Sequence, residues 1–107
     1  MQKYIQTVDN LINECDRLTA QILSEELHPD AMNLFVSHMT DFLRMLSEVY
    51  AMEEFAAHAD DVPAWIGQTQ RLVNALSGGD VFFLLDVISY EIKSNLQEVA
   101  QILGGAS

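Results

Sequence analysis

The spacing of apolar residues constrains the fold of this chain more than any other feature. In the first segment they recur mostly at steps of three and four, which is the period of one face of an α-helix. They are Tyr4, Ile5, Val8, Leu11, Ile12, Cys15, Leu18 and Ile22. The residues off this stripe are Asp9, Glu14, Asp16 and Arg17. The spacing predicts an amphipathic helix over residues 3–26.

A second helix is predicted over residues 29–57, where the same spacing continues. Pro29 interrupts the first helix and fits the first turn of the second, since proline lacks the amide hydrogen that later turns need. The apolar stripe of this segment is Met32, Phe35, Val36, Met39, Phe42, Leu43, Leu46, Val49, Tyr50 and Phe55. It is the longest predicted helix.

Two further helices follow, over residues 63–77 and 80–103. Pro63 starts the shorter one, and Gly78-Gly79 ends it because glycine allows the left-handed conformation. Asp80 is placed to cap the last helix. No segment alternates between apolar and polar residues as a strand does, so the predicted fold class is all-α.

Four helices with short connections predict an antiparallel up-down four-helix bundle in a single domain of 107 residues. The third predicted helix is about half as long as the others, which would leave part of their apolar faces bare. Either the short helix packs across one end of the bundle, or a second copy of the chain covers the gap. The second alternative predicts a homodimer.

The charge of the chain limits its partners. It has 16 acidic residues against five lysines and arginines, a net charge of -11 at pH 7. Five scattered cations cannot form the basic surface that nucleic acid or an anionic membrane requires. The acidity favours a basic protein partner, and it is also compatible with a DNA-mimicking inhibitor or with a role in solubility alone.

Cys15 is the only cysteine, which excludes an intrachain disulfide and a cysteine-based zinc site. Its place on the apolar stripe predicts a buried, unreactive side chain. No apolar run reaches the ~18 residues that a membrane span needs, and the N-terminal sequence lacks the hydrophobic segment of a signal peptide. The expected location is the cytoplasm.

The start of the last predicted helix differs from the other helices because residues 81–85 are apolar on every side. A one-sided core cannot bury all five, so we expect Phe82 and Phe83 to contact a partner or a second subunit. Asp86 and Tyr90 are four residues apart and share a helix face, where the phenol could donate a hydrogen bond to the carboxylate. In the alternative, Phe82 or Phe83 packs under the glycine turn and Asp86 remains solvated.

Met45 and Met52 add a second candidate contact. They are seven residues apart on one flank of the second predicted helix, with Glu48 between them. Methionine adapts to irregular partner surfaces, although it also fills cores. The predicted partner-binding set is therefore Phe82, Phe83, Asp86, Tyr90, Met45 and Met52.

No catalytic, cofactor or metal site is predicted. A carboxylate-bridged metal pair needs two Glu-x-x-His motifs, and the chain has one, Glu25 with His28, at a helix end. Glu54 and His58 also lie at a helix end, and His38 stands alone. No nucleophile elbow or phosphate-binding glycine loop occurs.

The stretch from Gly79 to Ile92 resembles a Gly-Asp, apolar run, Asp-x-x-x-Tyr-Glu pattern found in small helical bacterial proteins. In size, acidity and helix content the chain is also similar to flagellar and type III export chaperones, a likeness that implies a helical bundle holding an aggregation-prone partner. The sequence predicts a non-enzymatic interaction module, a small acidic chaperone or adaptor that buries a partner's amphipathic helix. The alternatives are a DNA mimic and a metal-binding bundle.

Overall fold

The computed structural model describes residues 2–105, and every regular element in that range is helical. The all-α prediction is confirmed. Met1 and residues 106–107 of the predicted domain lie outside the described range. The elements are α1 (Gln2–Leu23), α2 (Pro29–Val49), a 3₁₀ helix (Glu53–His58), α3 (Asp61–Gly78), α4 (Val81–Asp86), a π segment (Val87–Ile92) and α5 (Lys93–Gly105).

The connection between α1 and α2 is built from a left-handed turn followed by a cap. Glu25 has a positive φ of 60°, and the Glu26 amide donates to the Gln21 carbonyl at 2.9 Å. The left-handed residue and this hydrogen bond end α1 three residues before the predicted boundary at residue 26. Pro29 then opens α2 as predicted, and the His28 ring accepts a hydrogen bond from the Asp30 amide.

The second helix ends earlier than its sequence pattern predicts. α2 stops at Val49 instead of continuing to residue 57, and a separate 3₁₀ helix follows. On one continuous α-helix, Tyr50 and Phe55 would point about 140° apart. The turn between them lets both side chains enter the core, where their ring centroids are 6.1 Å apart.

The third helix is not half the length of its neighbours, so that prediction is wrong. α3 has 18 residues, against 22 in α1 and 21 in α2. Asp61 joins its first turn and Gly78 its last. Gly79 then adopts the predicted left-handed conformation with φ 69°. The homodimer was predicted because a short third helix would leave an apolar face bare. The observed length of α3 removes this reason.

The last predicted helix is interrupted by a π segment, where the Lys93 amide donates to the Ile88 carbonyl five residues earlier. The apolar residues Leu84, Ile88, Ile92 and Leu96 are four apart. Each such step drifts about 40° around an α-helix of 3.6 residues per turn. The wider π turn reduces this drift and keeps all four side chains buried.

A single apolar core joins the elements. α1 packs against α2 and α5, α2 packs against α3, and the π segment lies against α1 and α3. The largest fully buried side chains include Phe35, Met39, Phe42, Leu46, Tyr50, Phe55, Leu72, Ile88, Ile92 and Leu96. Cys15 is fully buried, as predicted, and burial together with nearby Glu14 and Asp16 raises the pKa of its thiol to about 12.

Within residues 2–105, none of the helices combines the length and the apolar character needed to cross a membrane.

Candidate functional site

The start of α4 presents apolar side chains to solvent. The Asp80 carboxylate caps the helix, accepting a hydrogen bond from the Phe83 amide at 3.0 Å. This cap fixes the first turn so that Val81 is 54% exposed and Phe82 is 81% exposed, while Leu84 enters the core. Val81 and Phe82 thus form an exposed apolar pair on the capped first turn.

Phe83 takes a different position from Phe82. It is half-buried and packs against the core. The Arg71 guanidinium from α3 lies 5.3 Å from the centre of its ring, within the range of a cation–π contact. Arg71 also bonds Glu91 of the π segment at 3.0 Å. Phe83 is therefore held between the core and the Arg71 guanidinium.

Asp86 and Tyr90 are exposed, Tyr90 by 71%. They follow Phe82 at steps of four residues, and the π turn limits the angular drift of the second step, from Asp86 to Tyr90. Phe82, Asp86 and Tyr90 accordingly share one outward face. We call these three residues, together with Val81 and Phe83, the Phe82 surface. Within the described part of the chain no hydrogen bond joins Asp86 to Tyr90, so the bond considered from the sequence does not form.

The methionine pair is not part of one helix flank. Met45 lies in α2, half-buried and packed against the core. Met52 lies beyond the end of α2 in the turn before the 3₁₀ helix, with 36% of its surface exposed. A helix through residue 57 would place both methionines on one flank, but α2 ends at Val49 and a turn follows. α4 packs mainly against α1 and α3, so α2 is not its principal neighbour.

A cleft of mixed polar and apolar lining lies between α3 and α5, close to the end of α2. Its volume is about 510 Å³, and we call it the Tyr50 cleft. Gln68 and Asn95 join the two helices across it, with the Asn95 amide donating to the Gln68 oxygen at 2.7 Å. The lining side chains include Tyr50, Asp61, Trp65, Gln68, Asn95 and Glu98.

The hydroxyl of Tyr50 has an unusual environment. Tyr50 is 2% exposed, and its Oη is the one buried side-chain polar atom among residues 2–105 without a hydrogen-bond partner. Burial raises the pKa of this phenol to about 12, with the nearby negative charges of Asp61 and Glu98 adding to the shift. The phenol therefore remains neutral to a higher pH than an exposed tyrosine does. Sequence reasoning treated Tyr50 only as an apolar stripe residue.

A second cleft, between α1 and α2, contains a buried carboxylate. Glu14 was predicted to lie off the apolar stripe, yet it is only 7% exposed. It is buried because His38 reaches it from α2, with Nδ1 donating to Oε1 at 2.9 Å and to Oε2 at 3.1 Å. His38, which stands alone in the sequence, thus satisfies the hydrogen-bonding need of Glu14.

Replacing His38 with alanine should lower the free energy of unfolding by about 1 kcal/mol, because it removes the donor from a buried carboxylate. The half-exposed position of His38 lets water replace part of the bond. Urea denaturation measures the change, with Ser37→Ala on the exposed side of α2 as the matched control. Adding Glu14→Leu to His38→Ala should recover the loss, since an apolar side chain needs no donor. A double variant as unstable as His38→Ala would contradict this explanation.

The histidines at the helix ends contact residues close to them in the sequence. His28 caps α2, and His58 lies 3.5 Å from Asp61 instead of pairing with Glu54. Within the described range no three acidic, histidine or cysteine side chains come together as a metal site would require.

No known protein family matches this chain, and no match was found among curated proteins or solved structures. The Phe82 surface and the Tyr50 cleft are therefore the two candidate sites of this chain.

Proposed function

We propose that this chain is a non-enzymatic protein–protein interaction module that binds a positively charged amphipathic helix of a partner on the Phe82 surface. The observation that carries the proposal is the 81% exposure of Phe82 at the start of a capped helix. Burying a phenylalanine side chain is worth about 1.5–3 kcal/mol. A partner that covers Phe82 would gain much of this free energy.

The preference for a basic partner is supported by charge. The net charge is -11, and the acidic groups at the Phe82 surface include Asp80 and Asp86. Arg71, the cation beside Phe83, is already paired with Glu91. An acidic rim around an apolar centre attracts a helix with a basic face and selects against an acidic one.

A bundle architecture fits this role. We infer that the helices form an antiparallel up-down four-helix bundle, because the connections are short and the molecule measures 43 × 22 × 20 Å, as expected for helices lying along one axis. The likeness to export chaperones belongs to the same proposal, in which an acidic bundle shields a partner's apolar helix in the cytoplasm.

The proposal predicts that Phe82→Asp reduces binding of a synthetic Leu/Lys amphipathic helical peptide at least tenfold, as is typical when a central aromatic contact is lost. Fluorescence anisotropy of the labelled peptide measures the affinity. Circular dichroism should show unchanged helix content, because Phe82 contributes little to the core. Leu34→Asp, at a 54% exposed leucine of α2, is the matched control and should bind like the wild type.

Equal binding by the wild type and Phe82→Asp would exclude the Phe82 surface as the docking site. Light scattering over a concentration series tests the homodimer. A wild-type dimer that Phe82→Asp converts into a folded monomer would show that a second copy occupies this surface. The DNA-mimic alternative predicts that affinity for a DNA-binding partner falls steeply with salt, whereas apolar docking depends on it only modestly.

A further inference from the structure

We propose that the Tyr50 cleft binds a guanidinium or ammonium group at the end of an alkyl chain, supplied by a basic side chain of the protein partner. The choice of a protein as the source rests on the proposed function. The preference of the cleft for a cation follows from its own lining residues.

The hydroxyl of Tyr50 is buried without a hydrogen-bond partner among the described residues, and Tyr50 lines the cleft. A buried hydroxyl without a partner is unfavourable, and natural proteins satisfy nearly all such groups. Tyr50 can accept a hydrogen bond as well as donate one. A bound group with N–H donors would remove the penalty.

The charges around the hydroxyl select the sign of that group. Asp61 and Glu98 line the same cleft and lie close enough to act on the phenol electrostatically. Glu98 forms no ion pair within residues 2–105, and Asp61 has only a long contact to the half-buried His58, at 3.5 Å. The cation that lines the cleft, Arg71, is paired with Glu91. The cleft therefore holds an excess of negative charge.

The number of acceptors fits a cation with several donors. Guanidinium carries five N–H donors and ammonium three, and neither accepts hydrogen bonds. The phenol oxygen and two carboxylates supply acceptors on different sides of the cleft. A volume of about 510 Å³ admits a chain end of this size.

Gly67 lines the cleft without a side chain. A Cβ atom added at this position would meet no atom within 4 Å. A large side chain can therefore be introduced at the edge of the cleft without displacing its neighbours.

The cleft and the Phe82 surface are connected through Arg71. Arg71 lines the cleft, and its guanidinium covers Phe83. A helix that lies on the Phe82 surface and extends past Arg71 would reach the cleft. One of its basic side chains could enter the cleft as its apolar face covers Phe82.

The test uses the full chain and the fluorescence of Trp65, its only tryptophan. The probe is butylguanidinium, and the neutral control of the same shape is butylurea. We expect saturable binding of butylguanidinium, with butylurea at least tenfold weaker because it lacks the charge. Tyr50→Phe should weaken butylguanidinium binding about tenfold. Gly67→Phe should abolish it, and Gly67→Ala, the matched control, should retain it.

Equal binding of the two probes, or unchanged binding to Gly67→Phe, would overturn the proposal. So would the absence of saturable binding by both butylguanidinium and an arginine peptide. Isothermal titration calorimetry checks each result independently of the tryptophan signal.

A second arm identifies the source of the cation. It compares the amphipathic peptide carrying one arginine with the same peptide carrying citrulline. A tenfold preference for arginine in the wild type that disappears in Gly67→Phe supports a partner side chain. Binding of butylguanidinium without a preference for the arginine peptide would overturn the partner source and leave a free cation as the ligand. If Phe82→Asp binds the peptide normally while Gly67→Phe does not, the docking proposal fails and the cleft stands.

Discussion

Replacing Phe42 with alanine is expected to lower the free energy of unfolding by about 3–5 kcal/mol. Phe42 is 1% exposed, and its ring packs edge-on against Trp65 with 5.0 Å between centroids. The variant loses this contact and leaves a cavity between α2 and α3. Since domains of this size have total stabilities of about 5–15 kcal/mol, the loss is a large part of the whole.

Urea denaturation followed by circular dichroism measures this loss. Leu34→Ala, at an exposed position of the same helix, should change the stability by less than about 0.5 kcal/mol. The fluorescence of Trp65 should shift to the red in native Phe42→Ala, because water gains access to the loosened ring. A loss below about 1 kcal/mol would mean that Phe42 does not fill the core as the structure shows.

Tyr50→Phe is expected to have the opposite effect and raise the free energy of unfolding by about 1–3 kcal/mol. The substitution keeps the buried ring and removes a hydroxyl that has no partner. The control is Tyr90→Phe, since the Tyr90 side chain is 71% exposed and its hydroxyl is solvated in both states. A less stable Tyr50→Phe would show that the hydroxyl is hydrogen-bonded in the folded protein.

The dependence on pH gives this prediction a second measurement. An unfolded tyrosine ionises near pH 10, whereas burial and the charges of Asp61 and Glu98 raise the pKa of folded Tyr50 to about 12. Between these values the unfolded state releases a proton that the folded state keeps, so stability falls as the pH rises from about 10 to about 12. Tyr50→Phe lacks this loss of stability at high pH. Ionisation of Cys15 lowers the stability of both proteins alike, so it does not affect the difference between them. The stability advantage of the variant should therefore grow across this range.

The opposite consequences of Tyr50→Phe for stability and for binding separate a ligand site from a packing defect. A hydroxyl that accepts a hydrogen bond from a bound cation destabilises the protein without the cation and stabilises the complex. Natural proteins often accept reduced stability at positions used for function. Gain of stability together with loss of butylguanidinium binding would identify Tyr50 as such a position.

The parts of the fold that were predictable from the sequence are those governed by local chemistry. Pro29 begins α2, Gly79 turns left-handed after α3, and Asp80 caps α4, because each residue acts through its own backbone or its nearest neighbours. The helical class follows from the apolar spacing. Cys15 is buried because it lies at the centre of the α1 stripe.

The departures from prediction come from tertiary packing. α2 ends at Val49 because Tyr50 and Phe55 both enter the core, which the apolar pattern alone does not distinguish from a continuing helix. Glu14 is buried because His38, 24 residues away in sequence, supplies its donor. The π segment did leave a signal, since the buried apolar residues Ile88, Ile92 and Leu96 advance by steps of four with no step of three.

The candidate site was likewise only partly predictable from the sequence. The apolar run identified the start of α4 as unusual, yet it could not tell Phe82 from Phe83, because the Asp80 cap and Arg71 decide which ring is exposed. The Tyr50 cleft was missed entirely. Its lining comes from the end of α2, from α3 and from α5, and such a combination has no local sequence pattern.

The π segment also bears on how the length of this chain can vary. A π turn contains an additional residue compared with an α turn, and its hydrogen bonds reach back five residues, as from Lys93 to Ile88. Loss of one residue between positions 87 and 92 would convert the segment to regular α-helix without rotating α5 against α1. The middle of the last helix is therefore the place where a relative of this chain can be one residue shorter and still bury the same face.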